Sequence, residues 1–380
     1  MRILHLSDLH FGKKFKMWSF IDDQKEMIQT ILNVIDEKHI DTVLMCGDVY
    51  DRSIPSIEAV NLFDEFLVEL SNRNLNILIS SGNHDSADRL AFGNQLMLNK
   101  NIYISPVYDG QIDPVVLKDS YGDINFYMLP YVKSSTVKHY FPEENIVDYN
   151  DALQVATDAM HINPTKRNII LSHQFVMGSQ LDGSEEIIEI GGLDQVSSNV
   201  YQGFDYVALG HIHRPQNVKG KHIRYCGTAL KYAFDEQNQQ KTLTILEIKD
   251  KKDEIIYEYI PVSQPHEFVT LEGKFNDLLL SAINDEANRD NFIEIVLTDE
   301  QEVPGAFGQL ADYYHRISKL TYKSQSRQDV ESVKQLQTNP NTNPLQIVME
   351  FYKGNMGKEL TDEQKEYLTD LSKQIWEEGN

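Results

Sequence analysis

Short apolar runs alternate with amphipathic stretches along the first half of the chain, and each apolar run closes on a small polar cluster. Residues 2–7 read as a strand that runs into Asp8-Leu9-His10. Residues 22–38 carry Met27, Ile28, Ile31, Leu32 and Ile35 at helical spacing. Thr42-Val43-Leu44-Met45-Cys46 is a continuous apolar strand, covered on both faces, that closes on Gly47-Asp48-Val49-Tyr50-Asp51. A second helix over 57–71 has Leu62, Phe63, Phe66, Leu67 and Leu70 as its stripe. The run Leu75–Ile79 is the next strand, followed by Ser80-Ser81-Gly82-Asn83-His84-Asp85. The pattern is strand–helix–strand–helix–strand, with chemistry at strand C-termini, where open α/β sheets place ligands.

Further along, residues 88–98 read as one short helix carrying Leu90, Phe92, Leu96 and Met97. Residues 102–149 hold short strands such as 124–129, and 151–161 read as a helix. Asn168–Ser172 is a strand that delivers His173, and Tyr206–Leu209 is one that delivers Gly210-His211-Ile212-His213. Between them, 177–199 reads as a long glycine-containing loop near the site. Strands at 222–226, 242–248 and 255–261 are expected to complete a second sheet. Past Ser263-Gln264-Pro265 the pattern becomes strand 268–272, helix 276–288, strand 292–297, helix 306–318, strand 320–324. The expected domains are therefore a catalytic body at 1–262, an α/β cap at 263–325, a linker at 326–344 and a helix pair at 345–380. Leu345, Val348 and Tyr352 share one stripe of the tail. Thr361-Asp362-Glu363-Gln364 reads as a capping box opening its second helix, with Leu368, Leu371 and Ile375 inside. Helices this short gain stability mainly from what they pack against. The tail reads as a docking site for a partner, ahead of the alternative that it folds back on the body.

Charge narrows the function. A formal net charge of −23 over 380 residues opposes whole-molecule attraction to nucleic acid or an anionic membrane. It leaves room for a local basic groove, with Lys13, Lys14, Lys16 and Arg52 as candidates. The two cysteines, Cys46 and Cys226, imply no disulfide framework. The N-terminus enters a strand at once, and no apolar run of about 18 residues exists. A soluble cytoplasmic protein is the expectation.

The strand-end groups are Asp8, His10, Asp48, Asn83, His173, His211 and His213. A single D-x-H or H-x-H pair is ordinary loop sequence. Here five of the twelve histidines (10, 84, 173, 211 and 213) sit at strand ends. On extended backbone, residues two apart project to one side, and neutral imidazole is the commonest side-chain metal ligand. Seven donors without a thiolate suggest two metals of intermediate softness, such as manganese, iron or zinc. Two metals roughly 3.5–4 Å apart form a clamp for in-line phosphoryl displacement. His84 is left over, placed to touch a substrate phosphate or protonate the leaving oxygen.

Taken in order, Asp8-Leu9-His10, Gly47-Asp48-Val49-Tyr50-Asp51, Gly82-Asn83-His84-Asp85, His173 and Gly210-His211-Ile212-His213 resemble the motifs of the calcineurin-like metallophosphoesterases. The tail and Tyr225-Cys226-Gly227-Thr228 resemble, more narrowly, the nuclease subunits that work with an SbcC-like coiled-coil ATPase. The resemblance implies an α/β fold, a two-sheet αββα sandwich with a small α/β cap and a C-terminal helix pair. It implies a DNA nuclease of double-strand-break and hairpin processing, with ATP-independent single-strand endonuclease and partner-driven duplex exonuclease activity. One metal would take Asp8, His10, Asp48 and His213. The other would take Asp48, Asn83, His173 and His211, with Asp48 bridging and Mn2+ the usual ion. His84 would be catalytic, and Asp51 and Asp85 supporting. Asp51 stands where archaeal and eukaryotic relatives carry a second histidine. The resemblance also implies a homodimer through 57–71 and 88–98, and a heterotetramer with the ATPase bound at the C-terminal helices. The same motifs serve small-molecule phosphodiesterases and protein phosphatases. A cap without a nucleotide pocket and a partner-type tail speak against both. An intact ligand set speaks against a non-catalytic scaffold.

Overall fold

The computed structural model describes residues 1–180 and 195–323, together with 349, 359–361, 364, 365, 367 and 368. The expected linker at 326–344, most of the helix pair at 345–380 and the centre of the 177–199 loop lie outside the described residues. The chain divides into two compact units, Met1–Glu267 and Phe268–Asn380.

The first unit contains two six-stranded sheets. One has the order Ile256–Pro261, Thr242–Glu247, Arg2–Leu6, Thr42–Cys46, Asn76–Ser80, Ile102–Ile104. The other has the order Gln216–Asn217, Ile223–Tyr225, Tyr206–Gly210, Arg167–His173, Gly122–Met128, Val115–Asp119. Their inner faces meet in one core. Ile3, Leu44, Leu78 and Leu246 come from the first sheet, and Phe126, Ile169, Leu171 and Ala208 from the second. Each fully buried side chain of this size contributes about 1.5–3 kcal/mol. The outer face of the second sheet has its own core, in which Leu153 and Ala156 of the helix Tyr149–Asp158 pack with Ile170, Val207 and Leu209. This is the two-sheet α/β sandwich that the strand-end pattern implied.

Helices Ile21–Lys38 and Ile57–Asn72 bury the stripes expected of them, Met27, Ile28, Ile31, Leu32 and Ile35 in one and Leu62, Phe63, Phe66, Leu67 and Leu70 in the other. The second is capped by Ser56, whose Oγ accepts from Ala59 N.

Three expectations need correction. Strands 242–247 and 256–261 belong to the first sheet, because Thr242–Glu247 pairs antiparallel with Arg2–Leu6. The stretch 88–98 is not one helix. It breaks into Ala87–Leu90 and Asn94–Met97 at Gly93, whose φ of 75° leaves the right-handed helical region. Phe92 and Leu96 are consequently 83% and 79% exposed rather than part of a core stripe. In the second unit, the helix expected over 306–318 stops at Ala311, and a strand begins at Arg316. There, Phe268–Gly273, Phe292–Leu297 and Arg316–Tyr322 form a parallel sheet. Helices Phe275–Ala282 and Ala306–Ala311 lie between them in sequence, with Ile293, Ile295, Leu310 and Tyr314 in the core.

In the tail, Thr361 N–H donates to Gln364 Oε1 at 3.0 Å and Gln364 N–H to Thr361 Oγ1 at 3.3 Å, the reciprocal pair of a capping box. No helix among the described residues is long and apolar enough to cross a membrane.

Candidate active site

All the strand-end groups of the first unit converge where the central strands of the two sheets end. The loops are laced to each other by backbone. Asp8 N–H donates to Gly47 O, His10 N–H to Asp48 O and Phe11 N–H to Val49 O, at 3.1, 3.0 and 2.9 Å. Asp8, His10, Asp48 and His211 have φ of 52°, 46°, 51° and 98°. None sits on extended backbone, so the period-two argument for their side chains does not apply. The left-handed region costs a non-glycine residue about 1–3 kcal/mol, and here the interlocked loops hold it. His211 and His213 consequently face different partners instead of one.

Asp8, His10 and His213 bring ligand atoms within 4.8 Å of one another, as do Asp8, Asp48 and His173, and His10, Asp48 and His84. His10 Nε2 lies 3.2 Å from His213 Nε2 and 3.9 Å from Asp48 Oδ2. His173 Nε2 lies 3.2 Å from Asp48 Oδ2 and 3.0 Å from Asn83 Oδ1, and His211 Nδ1 is 3.2 Å from the same amide oxygen. His173 Nδ1 donates to Cys46 O at 2.8 Å, which aims Nε2 inward. Asp8 accepts from His211 N–H at 3.1 Å.

His84 differs from the rest. Its ring is partly exposed, Nδ1 donates to Asp51 O at 2.9 Å, and Nε2 is 3.9 Å from Asp48 Oδ2. Its backbone N–H donates to Asp48 Oδ1 at 2.9 Å. Asp85 ties the loops together, accepting from Val49, Tyr50 and Gly82 N–H at 3.1, 3.0 and 2.9 Å. Asp51 Oδ1 is 2.8 Å from Lys13 Nζ and 3.8 Å from His10 Nδ1, and Asp51 Oδ2 is 3.7 Å from Arg52 Nε. Two of the candidate basic residues are therefore turned toward a carboxylate at the edge of the site.

Burial and mutual charge set the protonation. Burial pushes the Asp8 carboxyl above its ordinary range; His173 opposes the rise and Asp48 adds to it. Burial resists ionisation of Asp48, but His173 holds its carboxyl well below the ordinary value. Burial likewise resists charging His173, yet Asp48 and Asp8 raise it to about 9. Burial and the neighbouring His173 lower His211 to about 3. Burial and Lys13 lower His10 well below the usual imidazole value. Burial and the Asp48 charge raise Asp85 to about 6, against the pull of its three backbone donors. The carboxylates thus gather one proton onto His173 while His10 and His211 stay neutral, and metal ions require neutral imidazoles and ionised carboxylates.

The donor set fits divalent cations. The facing Nε2 atoms of His10 and His213 are 3.2 Å apart. Two nitrogens bound to one ion at about 2.0–2.1 Å lie roughly 3.0–3.4 Å apart. Oxygen and imidazole donors without thiolate suit ions of intermediate softness.

Several supporting residues carried no sequence signal. Gln24 donates through Nε2 to His10 O at 2.8 Å and accepts Gly12 N–H at 3.0 Å. Tyr232 OH donates to Leu9 O at 2.7 Å. Glu236 Oε1 lies 3.2 Å from His213 Nδ1, and its Oε2 is 2.5 Å from Lys241 Nζ. Burial opposes ionisation of Glu236, but Lys241 and His213 hold it down to about 2.

Close approach also fixes Gly210. A Cβ there would lie 1.9 Å from Cys46 O and 2.6 Å from His173 Nδ1. Gly210→Ala is expected to cost at least about 2 kcal/mol, as overpacking does, and to displace His173. Urea unfolding checks this, and an unchanged midpoint would refute it.

The chain belongs to the calcineurin-like phosphoesterases: the family model matches residues 1–215, which carry every one of these donors. It is thus a metal-dependent phosphoester hydrolase with a buried Asp/His divalent-metal site. Within that class it is similar to the SbcD component of the SbcCD nuclease of Staphylococcus epidermidis. The two are 29% identical over 379 residues, 98% of each chain. Among solved structures it resembles a Thermus thermophilus protein at 11% identity and TM-score 0.38, over 68% of this chain and 98% of that one. A dimetal phosphatase from Danio rerio aligns at 12% identity and TM-score 0.41, over 70% and 97%.

Proposed function

We propose that the chain is a two-metal DNA nuclease, the nuclease subunit of an assembly with an SbcC-like coiled-coil ATPase, acting in the cytoplasm on broken and hairpin DNA ends. The observation that carries this reading is the end-to-end alignment with a relative named as such a component, whose length matches this chain's. One ion is assigned to Asp8, His10, Asp48 and His213, and the other to Asp48, Asn83, His173 and His211, with Mn2+ the favoured metal. Bound divalent cations would supply positive charge to a phosphodiester and lower the pKa of water.

The chain's own residues do the rest. Asp48 faces both imidazole sets, at 3.9 Å from His10 and 3.2 Å from His173, which supports a bridging role. His84 keeps its Nδ1 proton on Asp51 O, so the proton it exchanges is at Nε2, on the partly exposed side of the ring. That position suits a general acid at the leaving oxygen. Asp85 keeps the Asp48 and Asn83 loops in register, and Asp51 holds Lys13 beside His10.

A homodimer through 57–71 and 88–98 is supported by exposed Ile57, Val60, Val68, Phe92 and Leu96. The tail is assigned to the ATPase. Deleting residues 340–380 removes none of the metal donors. The truncated chain is expected to retain Mn2+-dependent cleavage of single-stranded DNA within about threefold while losing co-purification with the ATPase. A truncated chain that still binds the ATPase normally would overturn the tail assignment. A full-length chain that cleaves an aryl phosphomonoester but neither DNA nor a bis-aryl phosphodiester would overturn the nuclease reading.

A further inference from the structure

The histidines of the site are oriented by different groups. The Nδ1 of His173 rests on a neutral backbone carbonyl, Cys46 O, at 2.8 Å, and the Nδ1 of His211 faces the Asn83 amide oxygen at 3.2 Å. The Nδ1 of His213 faces an ionised carboxylate, Glu236 Oε1, at 3.2 Å. Glu236 is 0% exposed. It lies in the short 3-10 turn Phe234–Glu236, and its other oxygen is 2.5 Å from Lys241 Nζ. Lys241 is also buried and donates to His213 O at 3.0 Å and to Gln239 Oε1 at 2.7 Å. Thr228 N–H donates to the same His213 carbonyl at 3.1 Å, and Thr228 Oγ1 lies 3.4 Å from Glu236 Oε2. One buried ion pair thus grips His213 at both backbone and ring.

A buried pair of this kind adds little net stability over a well-packed apolar pair, so its presence calls for another reason. With Nδ1–H donated to a carboxylate, His213 keeps its lone pair at Nε2, and that atom points at His10 Nε2, 3.2 Å away. A carboxylate behind an imidazole also makes that imidazole a stronger ligand than a neutral carbonyl does. The other position has one amide ligand and a carbonyl-backed histidine.

We propose that Glu236, locked by Lys241, is a positioning residue that aims His213 at the metal and makes the His10–His213 position the tighter of the two. This rests on the reading that the site holds two divalent cations. Glu236 touches neither substrate nor metal in this scheme and acts through His213.

The test is calorimetric titration of Mn2+ into the full-length metal-free chain, with thermal unfolding on the same preparations. Wild type is expected to bind in two steps. In Glu236→Gln the tighter step weakens by about 10–100-fold, while the weaker step moves by no more than about twofold. His213→Ala is expected to hit the same step. A structural role alone would shift both steps or neither, so equal weakening of the two, or unchanged affinity at both, overturns the proposal. Should Glu236→Gln fold poorly, the double variant Glu236→Gln with Lys241→Met removes both buried charges together, and the same selective loss is expected. If wild type takes up a single ion, the two-metal reading is what fails. The Glu236 assignment then stands if that ion weakens in Glu236→Gln, and falls if it does not.

Discussion

Asp48→Asn is expected to strip metal from both positions, whereas His10→Ala should weaken mainly one. The reason is the place of Asp48. Its Oδ2 lies 3.2 Å from His173 Nε2 and 3.9 Å from each of His10 and His84 Nε2, while Oδ1 is tied to His84 N–H. Replacing it with an amide removes a full negative charge from the centre of the cluster but keeps the size of the side chain. Loss of a group that merely orients a ligand costs about 10–100-fold in metal affinity, and a shared ligand should exceed that at both positions. Elemental analysis after desalting gives the stoichiometry. Equal residual metal in Asp48→Asn and His10→Ala would rule out the bridging role.

His84→Ala is expected to leave metal content nearly intact and to lower turnover on DNA by about 10²–10⁴-fold, the usual contribution of a positioned acid or base. His84 differs from the seven donors in two ways. Its ring is partly exposed where theirs, His10, His173, His211 and His213 included, are buried. Its Nδ1 is also committed to Asp51 O. The competing role is visible in the same geometry, because His84 shares a ligand-distance group with His10 and Asp48. Manganese titration and hydrolysis rate on one preparation separate the two. Loss of an ion along with the rate would make His84 a ligand, and an unchanged rate would remove it from the chemistry.

Much of this site was legible before any folding because each donor cluster follows an apolar run. A strand buried on both faces has few places for polar groups except its ends. Thr42–Cys46 and Tyr206–Gly210 are buried throughout, so Asp48, His211 and His213 fall beside each other once the central strands of the two sheets align. The helices Ile21–Lys38 and Ile57–Asn72 were equally plain, since their stripes repeat locally and need no distant partner to be seen.

What the tertiary structure alone decided depends on distance along the chain. Thr242–Glu247 looks like any amphipathic strand, and only its antiparallel register with Arg2–Leu6, from Arg2 with Glu247 to His5 with Thr244, assigns it to the first sheet. The left-handed backbone at Asp8, His10 and Asp48 is held by bonds between loops some forty residues apart in sequence, such as Asp8 N–H to Gly47 O. No alternation rule could anticipate it. Glu236 stands among Asp235, Gln237 and Asn238, where a carboxylate is ordinary surface. Its role arises from complete burial against His213 and Lys241, because a carboxylate carries weight there only once water is excluded and a cation is brought to it. Residue type and local period determine which groups are available. Burial, backbone strain and charge pairing across the fold determine which of them act together.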